Sequence, residues 1–429
     1  MNSTTFNEFY SSTGISTDTR SIHKNCLFIC IKGENFDGNT FAQKALEEGA
    51  LHVVVDNKDF FIPNGRMTLV ENSVLYLQNL ANFHRKKFNI PVIGITGSNG
   101  KTTTKELIYT VLSKKYNVLA TKGNLNNHLG VPFTLLNLRA EHEIAIIEMG
   151  ANKPLDIKEL CDIAEPTHGI ITNIGRAHLE GFENLEGVIK TKKELYDAIE
   201  SKNGILFRNQ DDPLLEKISP KEIETITFGT HNSTIAGKLI ELSPFVNMQW
   251  SFNEYQSETL VTQMVGKYNF YNYLAAVSFG VHFNVDNRSI SNAITEYTPT
   301  NNRSQIKQTE KNTLILDCYN ANPTSMKSAM ESFALMKHEN KICILGDMKE
   351  LGIESKEEHQ KIAILAQELN LNVLTVGDEF HDITSEKFLY QFKTTSELID
   401  HLMSAPIEEA MVLVKGSRSI GLEVIESSL

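Results

Sequence analysis

The chain has 429 residues, 41% hydrophobic and 22% charged, a make-up that supports buried cores and a length that allows roughly two to four domains. Its 53 acidic residues outnumber 41 basic ones, and the net charge of −12 excludes a nucleic-acid binder that works through bulk charge, while leaving room for a local basic site for a small anion. No run approaches the ~20 apolar residues of a bilayer span, residues 1–10 carry no apolar signal core, and Cys26, Cys30, Cys161, Cys318 and Cys343 form no paired CxxC spacing; a cytoplasmic protein with reduced thiols, no zinc site, no nucleic-acid partner and no stable membrane insertion is expected.

Three segments follow in order, with boundaries expected at 1–87, 88–300 and 301–429. The first has short β-like apolar runs at 27–31 and 51–55 around a helical stretch at 40–48. The second opens on an apolar run, 91–95, that enters Gly97-Ser98-Asn99-Gly100-Lys101-Thr102-Thr103 and then a helical pattern with Leu107, Ile108, Val111 and Leu112 on one face. A strand, a glycine turn and a helix start in that order make a phosphate cradle. Loop N–H groups face the anion, Lys101 supplies a positive charge and Thr102 offers a hydroxyl to Mg²⁺. The usual spacing would put glycine at 95, where this chain has Ile95; its glycines fall at 94, 97 and 100. A nucleoside triphosphate ligand is expected.

Further along, strands are expected at 144–147, 169–172 and 204–207 and helices at 156–164 and 185–199, an alternation that predicts a parallel sheet covered by helices. Residues 231–262 look like an added antiparallel edge, and 298–304 read as a linker. Glu148 closes the 144–147 run, and a strand-end carboxylate on a phosphate-loop scaffold commonly helps hold Mg²⁺. His178 follows the 169–172 run and fits either a packed residue or a metal ligand. Lys190, Lys192 and Lys193 share one helix, and spacing alone does not separate a functional lysine from a solvated basic face.

The third segment repeats the alternation: strands at 313–316, 341–345, 372–376 and 410–414, and a helix at 323–336 with Met326, Met330 and Phe333 on one side. A small doubly wound α/β domain is expected, with ligands at the strand ends, where Asp317-Cys318-Tyr319-Asn320, Asp347-Met348-Lys349-Glu350 and Lys415-Gly416-Ser417-Arg418 lie.

The phosphate loop, the Glu148 strand end, His178-Leu179-Glu180-Gly181-Phe182 and Thr191-Lys192-Lys193-Glu194-Leu195 occur here in the order seen in the Mur ligases, and over nearly its whole length the chain resembles that family. Asp18-Thr19-Arg20 and Lys32-Gly33-Glu34-Asn35-Phe36-Asp37-Gly38 are similar to the family's amino-terminal UDP-sugar domain. The resemblance implies three α/β domains: a small UDP-sugar domain, a central parallel-sheet ATPase domain with the phosphate loop, and a Rossmann-like carboxy-terminal domain. It implies ATP-dependent amide-bond formation in peptidoglycan precursor synthesis. The runs 123–132, 319–323 and 345–352 resemble members that take UDP-N-acetylmuramoyl-tripeptide and D-alanyl-D-alanine; a D-N-P-R motif, which marks a sibling adding a single amino acid, is absent from the carboxy-terminal segment.

For matching positions the resemblance implies Gly97 to Thr103 on the ATP phosphates, Lys101, His178 and Lys192 in catalysis, and Asn269, Asn272, Arg303 and Asp317 also on ATP. It implies two Mg²⁺ sites, drawn from Thr102, Glu148, His178 and a Lys192 carbamylated by CO₂. Thr19, Arg20, Asn124, Asn126, Asn127, Asn320, Asp347, Lys415 and Arg418 are candidates for the two substrates. The family usually has glycine before the linker arginine, where this chain has Asn302. A monomer is expected; a non-ligase ATP-binding switch is the alternative from another class.

Overall fold

The computed structural model describes residues 6–300 and 302–429. Three sheets divide it. The first pairs Ile15–Ser16, Leu27–Ile29, His52–Val55 and Met67–Leu69, in that order and all parallel. The run around Leu27–Ile29 is continuously apolar because both its faces are covered. Cys26, Phe28 and Cys30 pack with Ala42 and Ala45 of the helix Ala42–Glu47, while Leu27 and Ile29 share a core with Tyr76, Leu77 and Leu80.

Those last three belong to a helix, Ser73–Arg85, started by the Asn72 side chain, which accepts from Leu75 N at 2.8 Å. The sequence pattern hides this helix because its buried face includes Ser73, Gln78, His84 and Arg85 as well as apolar residues. It lies against the helices Gly130–Leu135 and Asp156–Ala164. Gln78 Nε2 donates to Glu159 Oε1 (2.7 Å), Asn82 Nδ2 to Ile163 O (3.0 Å), and Arg85 Nε to Ala164 O (2.9 Å). The first sheet is thereby fastened to the second.

The central sheet has ten strands. Val92–Thr96 lies in its middle, between Ile144–Glu148 and His168–Ile171, all parallel. Ile95 is wholly inside this strand, opposite Glu148 and Ile170, so the glycine turn begins only after Thr96. Ile205–Asn209 and Glu224–Gly229 continue the parallel order. The antiparallel edge starts later than the reading of 231–262 implies: Ile235–Glu241 is still parallel to its inner neighbour, and Asn247–Phe252 is the first to reverse. The helix Tyr268–His282, apolar on nearly every side and so without a clear 3.6-residue period, packs on Lys101–Leu112.

The third sheet runs Gln305–Gln308, Asn312–Leu316, Ala410–Lys415, Lys341–Gly346, Asn372–Val376 and Phe388–Phe392, parallel except for the first strand. Pro323–Ala334 and Ser355–Glu368 are among its covering helices.

Arg85 is buried and spends its guanidinium on three backbone carbonyls, those of Ala164, Phe88 and Glu165. Arg85→Ala leaves them unpaired, and a loss of about 1–3 kcal/mol in urea unfolding is expected; a midpoint unchanged from the parent would show that the contact contributes nothing.

Candidate active site

The site is built where strands end. Thr96 passes into the turn 97–100, and the helix Lys101–Leu112 begins at once. Gly97 has φ 147°, and a Cβ there would stand 2.0 Å from Thr172 Oγ1, so the loop presses on the neighbouring strand end as only glycine allows. Ser98 N donates to Asn173 O (2.9 Å), Asn99 N to Asn173 Oδ1 (3.0 Å), and Thr172 Oγ1 to Asn99 O (2.6 Å). Lys101 Nζ folds back onto the carbonyls of Gly97 (2.8 Å) and Ser98 (3.4 Å). Burial lowers its pKa below the usual lysine range, with Glu148 opposing.

Glu148, only 2% exposed, accepts through Oε1 from Thr102 Oγ1 (3.2 Å) and Asn126 Nδ2 (2.8 Å). Its Oε2 is buried without a partner among the described residues. A buried carboxylate oxygen left unpaired is costly, and a cation beside it removes the cost. Among the described residues no three His, Cys, Asp or Glu side chains gather as a metal cage. One carboxylate and one hydroxyl beside a phosphate loop are instead a donor set that suits Mg²⁺, which keeps waters and shares phosphate oxygens.

His178 sits at φ 52°, and its Nδ1 is 2.5 Å from Glu350 Oε2, reaching across to the third sheet's unit. Lys192 differs from its neighbours on the helix Leu185–Glu200: Lys190 is exposed and Lys193 pairs with Asp197, but Lys192 is 1% exposed. Among the described residues its Nζ has no hydrogen bond or ion pair and stands 5.8 Å from the Phe182 ring centre. Burial, then the charge of Lys101, drives its pKa well below the usual value.

The opposite wall comes from the third unit. Asp317 follows the strand Asn312–Leu316; its Oδ2 takes Lys415 Nζ at 2.7 Å and its Oδ1 takes Ser304 N at 3.2 Å. Lys415 also donates to Asn320 O (3.2 Å), and the Arg303 guanidinium lies 3.8 Å over the Tyr319 ring. Arg303, Asp317, Asn320 and Lys415 line one cavity of about 1200 Å³ together with Ser98 to Thr103, Asn124, Asn126, Asn127, Glu148, His178, Asn269 and Asn272.

Several residues singled out in the sequence have other engagements. Asn269 Nδ2 donates to Val265 O (2.7 Å), and Asn272 bridges Asn269 Oδ1 (2.8 Å) and Thr104 Oγ1 (3.1 Å), fastening the helix behind the phosphate loop. Asn127 Oδ1 takes Gly130 N (2.8 Å) at the next helix start. Gly97, Lys192, Thr19, Arg20, Asp347 and Arg418 are not among the cavity's lining residues. Arg20 is exposed on the first unit, paired with Asp18 at 2.6 Å. Asp347 is fully buried and accepts from Glu379 N (3.1 Å), Phe380 N (3.0 Å) and Lys349 Nζ (3.0 Å) within its own unit. The Arg418 guanidinium lies 5.2 Å from the centre of the Tyr319 ring.

Asn322 was not among the expected site residues. Its Oδ1 accepts from Ser325 N (2.9 Å), capping the helix Pro323–Ala334, while its Nδ2 donates to Asn99 Oδ1 (2.7 Å) on the phosphate loop. Asn before Pro, with Ser three residues on, is a helix-start signal, and it brings a second helix N-terminus to the anion end of the cavity.

Residues 11–93 match the Mur ligase family, catalytic domain; residues 95–280 match the Mur ligase middle domain; and residues 302–418 match the Mur ligase, glutamate ligase domain. The chain is 33% identical over 430 residues to the UDP-N-acetylmuramoyl-tripeptide–D-alanyl-D-alanine ligase of Bacillus subtilis (strain 168), covering 97% of this chain and 93% of that one. The protein of that name from Escherichia coli (strain K12) is 32% identical over 425 residues, with 97% and 93% covered. In three dimensions the chain resembles MurF from Acinetobacter baumannii (TM-score 0.87, 30% identity, 99% and 97% covered) and MurF ligase from Thermotoga maritima in complex with ADP (TM-score 0.88, 27% identity, 100% and 98% covered).

Burial in the fold lowers the Lys192 pKa well below 10.5, so at a pH between the two values the unfolded chain holds a proton that the folded chain gives up. The unfolded state therefore binds more protons in that range, and stability rises with pH. In CO₂-free buffer Lys192→Met should raise the denaturation midpoint at pH 7, with the gain shrinking as pH climbs toward 10.5; a Met variant less stable at pH 7 would contradict the burial cost.

Proposed function

The chain belongs to the Mur ligase family, ATP-dependent enzymes that form amide bonds, and from that premise we propose that it joins D-alanyl-D-alanine to UDP-N-acetylmuramoyl-tripeptide, giving UDP-N-acetylmuramoyl-pentapeptide, ADP and phosphate in peptidoglycan precursor synthesis. The supporting observation is the shared cavity: the phosphate loop and Glu148 form one wall, and Arg303, Asp317 and Lys415 form the other.

A carboxylate is a poor electrophile, so ATP is needed to give it a leaving group. The tripeptide carboxylate attacks the γ-phosphorus, ADP departs, and an acyl phosphate remains. The amine of D-alanyl-D-alanine then attacks the acyl carbon, loses a proton, and phosphate leaves. Lys101, with the loop N–H groups and the adjoining helix N-termini, would offset the phosphate charge that otherwise repels the incoming carboxylate. Lys415 and Arg303 would hold anionic groups from the far side, and closure of the two walls would keep water from the acyl phosphate.

Thr102 and the free Oε2 of Glu148 are the groups that would hold one Mg²⁺; the His178 imidazole and a carbamate on Lys192 would hold a second. When bound, the metal supplies charge that stabilises the transferring phosphoryl group. A carbamate forms when a neutral amine adds to CO₂ and loses a proton, and the burial that disfavours the charged form of Lys192 favours that addition. The UDP-sugar end is assigned to the first unit, with Thr19 and Arg20. No helix among the described residues is long and apolar enough to cross a membrane; a cytoplasmic monomer fits the reaction.

Phosphate release should require ATP, Mg²⁺, the UDP-tripeptide and D-alanyl-D-alanine together, and mass spectrometry should show the pentapeptide. Release that responds to a single amino acid instead would move the chain to a sibling ligase. Lys192→Ala should nearly abolish ligation and recover in part with added short carboxylates; full activity in that variant would sink the carbamate.

A further inference from the structure

The segment between the strand His168–Ile171 and the helix Leu185–Glu200 touches both walls of the cavity. On the phosphate-loop side, Ser98 Oγ donates to Gly175 O (3.0 Å) and accepts from Gly175 N (2.9 Å). On the other side, Arg176 N donates to Thr324 Oγ1 (3.1 Å), and Arg176 Nη1 donates to Glu354 Oε2 (2.7 Å) and Glu358 Oε1 (2.8 Å). A Cβ on Gly175 would come within 2.6 Å of Thr324 Oγ1, so the backbone of the central unit meets the Thr324 side chain of the third with no room between them.

Arg176 lies outside the main cavity, in a groove beside it, and no step of the reaction calls on it. Its two acceptors are four residues apart at the start of the helix Ser355–Glu368, where like charges repel. Glu358 is 4% exposed, and a carboxylate so deep needs cations around it. Lys361 supplies one from the same helix at 2.8 Å. The other is Arg176, which is available only when the two units are together. The carboxylate pair therefore favours the assembled arrangement, and its anchor sits one residue from the glycine that Ser98 holds.

We propose that Arg176 is a positioning residue that seats the C-terminal unit on the phosphate loop, and so completes the wall that receives the second substrate. The identity of that substrate rests on the ligase reading above. Most of the groups expected on ATP, Gly97 to Thr103, Glu148, Asn269 and Asn272, belong to the central unit, with Arg303 and Asp317 reaching in from the far wall, so ATP binding depends on the seat less than the second substrate does.

The test compares Arg176→Ala, Glu354→Gln/Glu358→Gln and the combined variant with the parent, by steady-state kinetics, ATP binding calorimetry and small-angle scattering with a non-hydrolysable ATP analogue. Arg176→Ala should raise KM for D-alanyl-D-alanine about tenfold or more while the ATP Kd moves by less than about threefold. The carboxamide pair should do the same, and the combined variant should be no worse than either, as residues of one clamp are non-additive. The scattering radius with analogue should exceed the parent's. Equal losses in ATP and dipeptide terms, or fully additive effects, would overturn the proposal, as would unchanged dipeptide kinetics. Arg176→Lys, which keeps the charge, should recover most of the KM and separates the clamp from a folding defect. A parent enzyme that ignores D-alanyl-D-alanine defeats the ligase reading instead, and the scattering comparison then judges the clamp by itself.

Discussion

The grip of Thr172 and Asn173 on the turn 97–100 is the constraint on which the site depends. Two adjacent parallel strands end side by side, and the end of one supplies the hydrogen bonds that shape the loop leaving the other. A phosphate loop works only if its N–H groups already point at the anion, because ordering them at binding would cost about 1–2 kcal/mol per residue. Here the carbonyl and side chain of Asn173 take the N–H groups of Ser98 and Asn99, which fixes the turn and leaves the N–H groups at the helix start to face the anion, and Gly97 gives the closeness that makes this possible. Thr102 and Lys101 then start the helix in a fixed direction, which places the Thr102 hydroxyl against Glu148 on the next strand.

Charge in the cavity follows the same economy. Eight carboxylates line it, those of Glu148, Asp156, Glu159, Asp211, Asp212, Asp317, Glu331 and Glu350, and two of them are tied to basic side chains: Asp317 holds Lys415, and Glu350 holds His178. One Glu148 oxygen is left without a partner among the described residues, and outside the cavity lining the buried Lys192 has its charged form disfavoured by burial. Both suit partners that arrive with the nucleotide or with dissolved CO₂: a cation beside the Glu148 oxygen, which also offsets the acidic lining, and CO₂ on the Lys192 amine.

Much of this was legible in the sequence, for physical reasons that also set its limits. The alternation of short apolar runs with amphipathic stretches carried the parallel sheets, because strands covered on both faces are apolar throughout. The phosphate loop, Glu148, Asp317 and Lys415 could be found because each sits where such a run stops. The helices Ser73–Arg85 and Tyr268–His282 could not, one because polar residues lie on its buried face and the other because it is apolar all round. Lys192 is separated from Lys190 and Lys193 by burial, which spacing does not encode. Asp347 has the look of a strand-end ligand, yet its carboxylate is consumed by the backbone of 379 and 380. Asn322 reads as an ordinary helix cap until the fold puts Asn99 beside it.

The bonds from Gln78, Asn82 and Arg85 to the helix Asp156–Ala164 tie the first unit to the central sheet along a whole helix, whereas the third unit follows a strand-free stretch in which Asn302 and Ser304 both take left-handed conformations. Motion of the third unit against the other two would then make the first two a stator and the third the rotor. A ligand spanning the first two units would keep its reacting end in fixed register with the phosphate loop through every cycle, and only the partner delivered from the third unit would have to travel.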